Sequence, residues 1–198
     1  MTITQELSSW FSPSHIEIAP ALKIGDKAPS CPELAFPTES RKPTIITFLR
    51  HCGCPVSEVA FLTMRKAAAE HLDINFVAIS HSNQQSTDKW LEAVGGPKEG
   101  TSSESVTVIV DAERNIYAKW GLGTVSWGHL FSPGGLLAVY KMGKDQGVWN
   151  RPTESGSRWQ SSGNWAVDGE GYVRWGGPAT RVDEVVDIAE VMDALKST

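Results

Sequence analysis

Two cysteines stand one residue apart in the segment FLRHCGCPVSE, between a predicted strand and a predicted helix. Residues 43–49 form an almost continuous apolar and β-branched run, which predicts a buried strand. Residues 55–72 carry apolar side chains at helical spacing, and Pro55 suits the first position of a helix. This order of strand, turn and helix places Cys52 and Cys54 at the N-terminal end of a helix.

Cys54 is the strongest candidate for chemistry in this turn. It directly precedes Pro55 and is therefore expected to be the N-cap residue of the helix. Open backbone N–H groups and the positive end of the helix dipole then face its sulfur. Such a position favours the thiolate, which is the reactive form of cysteine. Cys54 is predicted to be a nucleophile; the alternative is a small buried apolar residue.

Cys52 is a candidate for a second thiol in the same reaction. A sulfenic acid on one sulfur condenses with a nearby thiol to form a disulfide. Residues two apart can be bridged only in a tight turn, and Gly53 supplies the backbone freedom that such a turn needs. The alternative, in which Cys52 points into the core as an apolar residue, remains open.

The neighbouring polar residues suggest how a thiolate would be supported. His51 could act as a base or as a cation beside the sulfur, or could be a strand-end residue half in solvent. Arg50 would supply a permanent positive charge. Ser57 could donate a hydrogen bond to the Cys54 sulfur, or be a solvated serine of the first helical turn.

A metal site is the other chemistry that this turn could support. His51, Cys52 and Cys54 are three zinc-type ligands, but a structural zinc site takes four and no second cluster is present. We therefore expect no metal and no organic cofactor.

Composition narrows the class of protein. The chain has 198 residues and a net charge of -5, and its basic residues do not cluster, so no nucleic-acid partner is expected. No apolar stretch approaches the ~20 residues that cross a bilayer. No signal peptide is recognisable at the N-terminus. With three cysteines, an odd number, the chain is expected to be cytoplasmic, where cysteines are more often catalytic than structural.

The order of predicted elements defines an α/β fold. Parallel strand–helix units come first, and an antiparallel hairpin and a closing helix come last. The predicted strands lie at 43–49, 75–79, 106–110, 164–167 and 172–175; the predicted helices lie at 55–72, 84–94, 114–121, near 136–141, and at 181–195. We divide the chain into an N-terminal arm, 1–20, and one domain, 21–198.

Four segments of this domain resemble a known family. They are KIGDKAP at 23–29, the strand–cysteine–helix segment at 45–58, the stretch from 108 to 123, and the hairpin at 163–175. Together they are similar to the alkyl hydroperoxide reductase/thiol-specific antioxidant superfamily, the peroxiredoxin-like proteins. The resemblance implies a thioredoxin-like mixed sheet flanked by helices, with a Gly- and Trp-rich insertion at about 122–163 before the final hairpin.

The likeness is greatest to the atypical, selenoprotein U-like branch, which carries a Gly-Cys-Pro-x-Cys pattern. Here Gly53-Cys54-Pro55-Val56-Ser57 matches, except that Ser57 replaces the second cysteine. The Pro-x-x-x-Thr-x-x-Cys pattern of typical peroxiredoxins is also broken. Counted back from Cys54, Thr47 stands at the proline position and His51 at the threonine position.

The resemblance implies a thiol-dependent oxidoreductase. Cys54 would reduce a peroxide or act on a specific organic compound, and Cys52 or an external thiol (thioredoxin or glutathione) would regenerate it. One alternative is a glutathione-dependent monothiol transferase or reductase. Another is a non-enzymatic binding module of thioredoxin fold.

Tryptophan is concentrated in the second half of the chain. Six of the 8 tryptophans lie between 120 and 175, and 13 of the 18 glycines lie between 121 and 177. Trp165 and Trp175 fall in predicted strands and are expected in the core. Trp127, Trp149 and Trp159 are predicted to line a pocket for a bulky substrate, or alternatively a homodimer interface.

Overall fold

The computed structural model of the chain describes residues 15–95, 106–125, 133–152 and 155–197. The part of the predicted arm before residue 15 lies outside these ranges. Residues 15–20 have no regular secondary structure, and Ala19 N–H donates to Ala118 O at 3.0 Å. The strands are β1 Thr44–Phe48, β2 Asn75–Ser80, β3 Thr107–Val110, β4 Gly163–Val167 and β5 Val173–Pro178; the helices are α1 Pro55–Glu70, α2 Gln84–Ala93, α3 Asn115–Lys119, α4 Pro133–Gln146 and α5 Ile188–Lys196.

The strands form one mixed sheet in the order β3-β2-β1-β4-β5. β1 pairs in parallel with β2, and β2 with β3, whereas β4 and β5 are antiparallel. The predicted fold class, a thioredoxin-like mixed sheet with helices packed on it, is confirmed. The central strand, β1, is the one that leads into the two cysteines.

Every side chain of the central strand β1 is buried. Side chains alternate between the faces of a strand, so Ile46 and Phe48 point to one side and Ile45 to the other. Ile46 and Phe48 pack with Tyr117 and Trp120, around the predicted core residue Trp165. Ile45 packs against α1 and α5 residues in a second cluster, which Trp175 adjoins. The two cores fix both faces of the strand that ends at Phe48.

Two helices, α4 and α5, differ most from the prediction. α4 runs from Pro133 to Gln146, well beyond the predicted 136–141, because a helix tolerates the glycines of this segment when it packs on a neighbour. α5 begins at Ile188 rather than at 181, since Asp187 is its N-cap and accepts from the N–H groups of Ala189 and Glu190.

The predicted hairpin between β4 and β5 is present. Asp168 Oδ1 accepts from the N–H groups of Glu170 and Tyr172, both at 2.9 Å, and its Oδ2 lies 2.6 Å from Arg174 Nε. Gly171 adopts a positive φ of 89°, which a residue with a side chain rarely adopts. Within the described residues, no helix is both long enough and apolar enough to span a membrane.

Candidate active site

Cys54 occupies the junction between β1 and α1. It is the N-cap residue of α1, with φ -83° and ψ 126°, and Pro55 is the first helical residue as predicted. Cys54 N–H donates to His51 O at 3.0 Å, and Cys54 O accepts from Glu58 N–H at 3.1 Å. The Cys54 side chain makes no capping hydrogen bond, so the positive end of the helix dipole and the first N–H groups of α1 lie at this residue. The thiol is buried, with 4% of the residue exposed.

Arg50 brings a positive charge to this sulfur. Its Nη1 donates to Cys54 Sγ at 3.8 Å, and its Nη2 donates to Arg158 O at 2.9 Å. The guanidinium is buried, and its Nε–H has no hydrogen-bond partner among the described residues. An unmet donor next to a thiol is suited to a developing negative charge.

Ser57 connects the end of β1 to the start of α1. Its Oγ accepts the backbone N–H of Arg50 at 3.1 Å. The alternative of a solvated first-turn serine is wrong, because Ser57 is buried. The hydroxyl therefore supports Arg50, the residue that faces Cys54; a hydrogen bond from Ser57 to the sulfur stays a prediction.

His51 is a buried imidazole in this turn. Its Nδ1 accepts from Gly53 N–H at 3.1 Å, which places the proton on Nε2. Burial, together with the charges of Arg50 and Arg158, holds the pKa of His51 well below 6.5. The interpretation of a residue half in solvent is wrong, because His51 is buried. The lowered pKa disfavours a cationic role near neutral pH. A role as base stays a prediction.

Cys52 faces a different environment from that of Cys54. Its Sγ lies 3.4 Å from Ser80 Oγ and 3.7 Å from Thr87 Oγ1, and its N–H donates to Ser82 Oγ. We call Ser80, Ser82 and Thr87 the hydroxyl cluster. The thiol also packs with Leu49, Phe61 and Trp90 in a buried cluster. These contacts favour the core alternative for Cys52, and all three cysteines are free thiols.

The chain after α4 crosses the cysteine turn. Arg151 N–H donates to Gly53 O at 2.9 Å, and the Arg151 guanidinium pairs with the buried carboxylate of Glu58. Further along, Ser155 O accepts from Ser82 Oγ. Sequence reasoning missed these partners. Glu58 carried a weak signal, a charge in the first turn of an otherwise apolar helix face, whereas Arg151 carried none.

His81 is a second buried imidazole that the sequence did not single out. It follows β2, and its Nε2 lies 2.9 Å from Ser157 N and 3.1 Å from Ser157 O. Burial lowers the pKa of His81 from 6.5 to about 4, and the charges of Arg114 and Arg50 contribute to the decrease. Arg158 and Ser157 are adjacent, so the same short segment contacts Arg50 and His81.

The predicted tryptophan site is not assembled as one pocket. Trp127 lies outside the described residues. Trp159 is buried, and its backbone N–H donates to Ser157 Oγ. Trp149 is 55% exposed and contacts the ring of Tyr140. The substrate-binding roles of the three tryptophans stay predictions.

Metal binding finds no support in this turn. Among the residues that the structure describes, no group of three His, Cys, Asp or Glu side chains is arranged to hold a metal ion. The zinc alternative for His51, Cys52 and Cys54 therefore lacks the geometry that it needs. What the arrangement offers is a buried thiol beside a guanidinium and a helix N-terminus.

Comparisons with known proteins agree on the fold. No protein-family model and no curated protein matches the chain. A peroxiredoxin-like protein from Aquifex aeolicus is 17% identical with a TM-score of 0.58, and the match covers 91% of this chain and 90% of that one. A thiol peroxidase from Chromobacterium violaceum is 13% identical with a TM-score of 0.54, covering 91% and 90%. A mutant peroxiredoxin 6 of Arenicola marina is 13% identical with a TM-score of 0.59, covering 89% and 73%.

These similarities define the architecture of the chain as a thioredoxin fold of the peroxiredoxin-like type. The predicted likeness to the selenoprotein U-like branch stays a prediction.

Proposed function

We propose that this chain is a thiol-dependent peroxide reductase with Cys54 as its only reacting thiol. The observation that carries the proposal is the position of Arg50 Nη1, 3.8 Å from Cys54 Sγ, at the uncapped N-terminus of α1. The fixed positive charge and the helix dipole both stabilise a thiolate at this atom. Burial of both residues strengthens this electrostatic effect, since little water screens it.

The reaction is a nucleophilic displacement on oxygen. The Cys54 thiolate attacks one oxygen of ROOH, an S–O bond forms and the O–O bond breaks. Cys54 becomes a sulfenic acid, and RO⁻ leaves and is protonated to ROH. The open Nε–H of Arg50 is a donor available to the oxygen that gains charge. Neither a metal nor an organic cofactor takes part in these steps.

Regeneration is expected to come from outside the chain. Ser57 stands where a C-x-x-C site would have its second thiol, and its hydroxyl is bonded to Arg50 N–H. Cys52 Sγ is held by the hydroxyl cluster. An external thiol would therefore attack the sulfenic acid, release water, and form a mixed disulfide that a second thiol resolves. We propose a thiol reductant as the partner of the protein.

The same arrangement supports a second candidate function, a glutathione-dependent monothiol transferase or reductase. The replacement of a second cysteine by Ser57 favours it, since a single thiol exchanges through a mixed disulfide. The two functions differ in the oxidant. The first requires a peroxide, whereas the second requires a disulfide or another organic substrate.

The test compares Cys54→Ser with the matched variant Cys52→Ser. Peroxide consumption is followed with dithiothreitol, and intact mass spectrometry detects the sulfenic acid after trapping. We expect wild type and Cys52→Ser to consume peroxide and to be trapped once per chain, and Cys54→Ser to do neither. Unfolding midpoints of both variants show that the loss is chemical rather than structural.

Two results would contradict the proposal. If wild type consumes no peroxide but forms a Cys54–glutathione mixed disulfide and turns over a disulfide substrate, the transferase function replaces it. If Cys54 is also alkylated no faster than free cysteine, the chain is a binding module of thioredoxin fold, and Cys54→Ser would leave its ligand affinity intact.

A further inference from the structure

An aromatic and basic surface adjoins the cysteine turn. Leu137 and Tyr140 of α4 are 54% and 56% exposed, and Trp149, shortly after the helix, is 55% exposed. Lys141 and Lys144 are also exposed, and each follows an apolar residue by four positions, Lys141 after Leu137 and Lys144 after Tyr140, which puts them on the same helix face. We call these five residues the α4 face.

The aromatic part of the α4 face is pre-organised. The rings of Tyr140 and Trp149 meet edge to face at 6.5 Å between centroids. Trp149 also lies directly over Gly143, where an added Cβ would be 2.5 Å from ring carbons. A glycine at this point lets the indole approach the helix backbone. Large aromatic side chains held in place are the commonest energetic centres of protein interfaces, because little side-chain entropy is lost on binding.

The charge of the α4 face is opposite to that of the whole chain. Lys141 and Lys144 flank the apolar residues, and the exposed Asp145 lies at the edge. Arg151, two positions after Trp149, is already paired with the Glu58 carboxylate and adds no net charge to the rim. The chain as a whole carries -5. A basic rim around an apolar centre, on an otherwise acidic protein, fits a partner whose own contact surface is apolar with an acidic rim.

The α4 face is connected to the candidate thiol. Arg151 N–H bonds to Gly53 O at 2.9 Å, and Gly53 precedes Cys54. Two residues of extended chain span at most about 7 Å, so the Cα atom of Trp149 lies within about 7 Å of the Cα atom of Arg151. A protein seated on Trp149 would therefore cover the neighbourhood of the cysteine turn.

We infer that the α4 face is the docking surface for a protein dithiol with an acidic rim, which reduces oxidised Cys54. The inference rests on the proposed function, since it concerns the reductant of the same thiol. One partner thiol attacks Cys54–SOH, releasing water and forming an intermolecular disulfide. The second partner thiol then attacks that disulfide, which returns Cys54 to the thiol and leaves the partner oxidised to its own disulfide.

The test uses the full chain, hydrogen peroxide, and two electron donors, reduced thioredoxin and dithiothreitol. The variants are Trp149→Ala, Leu137→Ala and Lys144→Glu. Leu72→Ala is the matched control, since Leu72 is 59% exposed but follows the far end of α1. We expect kcat/KM for thioredoxin to fall about tenfold or more in Trp149→Ala and several-fold in Lys144→Glu. Dithiothreitol-supported turnover should stay at the wild-type value in Leu137→Ala and Lys144→Glu, and Leu72→Ala should match wild type with both donors.

Rising salt should lower kcat/KM for thioredoxin in wild type more than in Lys144→Glu, because the charge reversal removes the attraction. Wild-type kinetics with thioredoxin in all three variants would overturn the inference, as would reduction of wild type by dithiothreitol but not by thioredoxin. A wild-type dimer that Lys144→Glu dissociates would overturn it too, and would assign the face to a second copy of the chain. Failure of peroxide to oxidise Cys54 at all, in a single turnover without reductant, would instead count against the proposed function.

Discussion

The Arg151 guanidinium donates two hydrogen bonds to the Glu58 carboxylate, from Nε to Oε2 at 2.8 Å and from Nη2 to Oε1 at 3.0 Å. Glu58 lies in the first turn of α1, where its charge also suits the positive end of the helix dipole. The backbone N–H of Arg151 donates to Gly53 O, so the backbone of Arg151 contacts the cysteine turn while its side chain contacts the first turn of α1. This ion pair ties the segment after α4 to the helix that Cys54 begins.

Removing Arg151 should therefore destabilise the fold. Arg151→Met leaves the Glu58 carboxylate buried and unpaired, and we expect a loss of about 1–2 kcal/mol in the free energy of unfolding. This loss is smaller than for a fully buried pair, because the Arg151 side chain is 40% exposed and water screens its charge. Urea unfolding of Arg151→Met, Glu58→Gln and the double variant measures the coupling. A coupling energy near zero would show that the two residues act independently.

Arg50 should control the rate of Cys54 oxidation. Arg50→Gln removes the fixed charge beside the sulfur, and we expect the single-turnover rate with peroxide to fall about a hundredfold, as for loss of one electrostatic donor. Arg50→Lys keeps the charge but not the planar fork that reaches both Cys54 Sγ and Arg158 O, so it should recover part of the rate. Stopped-flow kinetics on folded protein, verified by circular dichroism, gives both rates. Equal rates in wild type and Arg50→Gln would remove Arg50 from the mechanism.

The local part of this site could be predicted because adjacent residues determine it. An apolar run, a turn and Pro55 suffice to place Cys54 at the N-cap of α1, as the structure shows. The mixed sheet also followed from the order of elements along the chain, since parallel strand–helix units and a final hairpin allow few sheets. Burial of His51 and Ser57 was harder to foresee, because both are polar and stand in a turn.

The distant part of the site could not be predicted from pattern. Arg158 contributes a backbone carbonyl, which every residue possesses, and Arg151 lies 93 positions from Glu58. His81 is a single histidine after a strand, and only the fold reveals that it meets Ser157. Such contacts depend on where a long connection returns to the sheet, and hydrophobic periodicity contains no information about that path.

His81 should make the fold sensitive to acid. Its folded-state pKa is about 4, below the ordinary 6.5, so the unfolded chain binds the proton first. Stability due to this group is complete above pH 6.5 and is lost as pH falls from 6.5 towards 4, by roughly 3 kcal/mol in total. Urea unfolding between pH 7 and 4.5 measures the loss.

The comparison variant is His81→Gln, whose amide can still bond to Ser157. It should be less stable than wild type at pH 7 but lose less stability on acidification. Some dependence must remain, because burial also lowers the pKa of His51 and gives a contribution of the same sign. Parallel pH profiles for the two proteins would show that His81 does not titrate in this window.

Ser57→Cys should convert the single-thiol site into a dithiol site. Ser57 lies three residues after Cys54 in the first turn of α1, which is the spacing of redox C-x-x-C pairs at helix N-termini. After peroxide oxidises Cys54, the introduced thiol should attack the sulfenic acid and close a disulfide. The Arg50 N–H would exchange a hydroxyl acceptor for a weaker sulfur, so we expect a cost of about 1 kcal/mol in folding. In a Cys52→Ser background, which removes the neighbouring thiol, one equivalent of peroxide should abolish alkylation at both remaining turn thiols. Continued alkylation of the introduced thiol would mean that the turn holds the two sulfurs too far apart to form a disulfide. An attacking thiol would then have to reach the Cys54 sulfur from a side other than that of position 57.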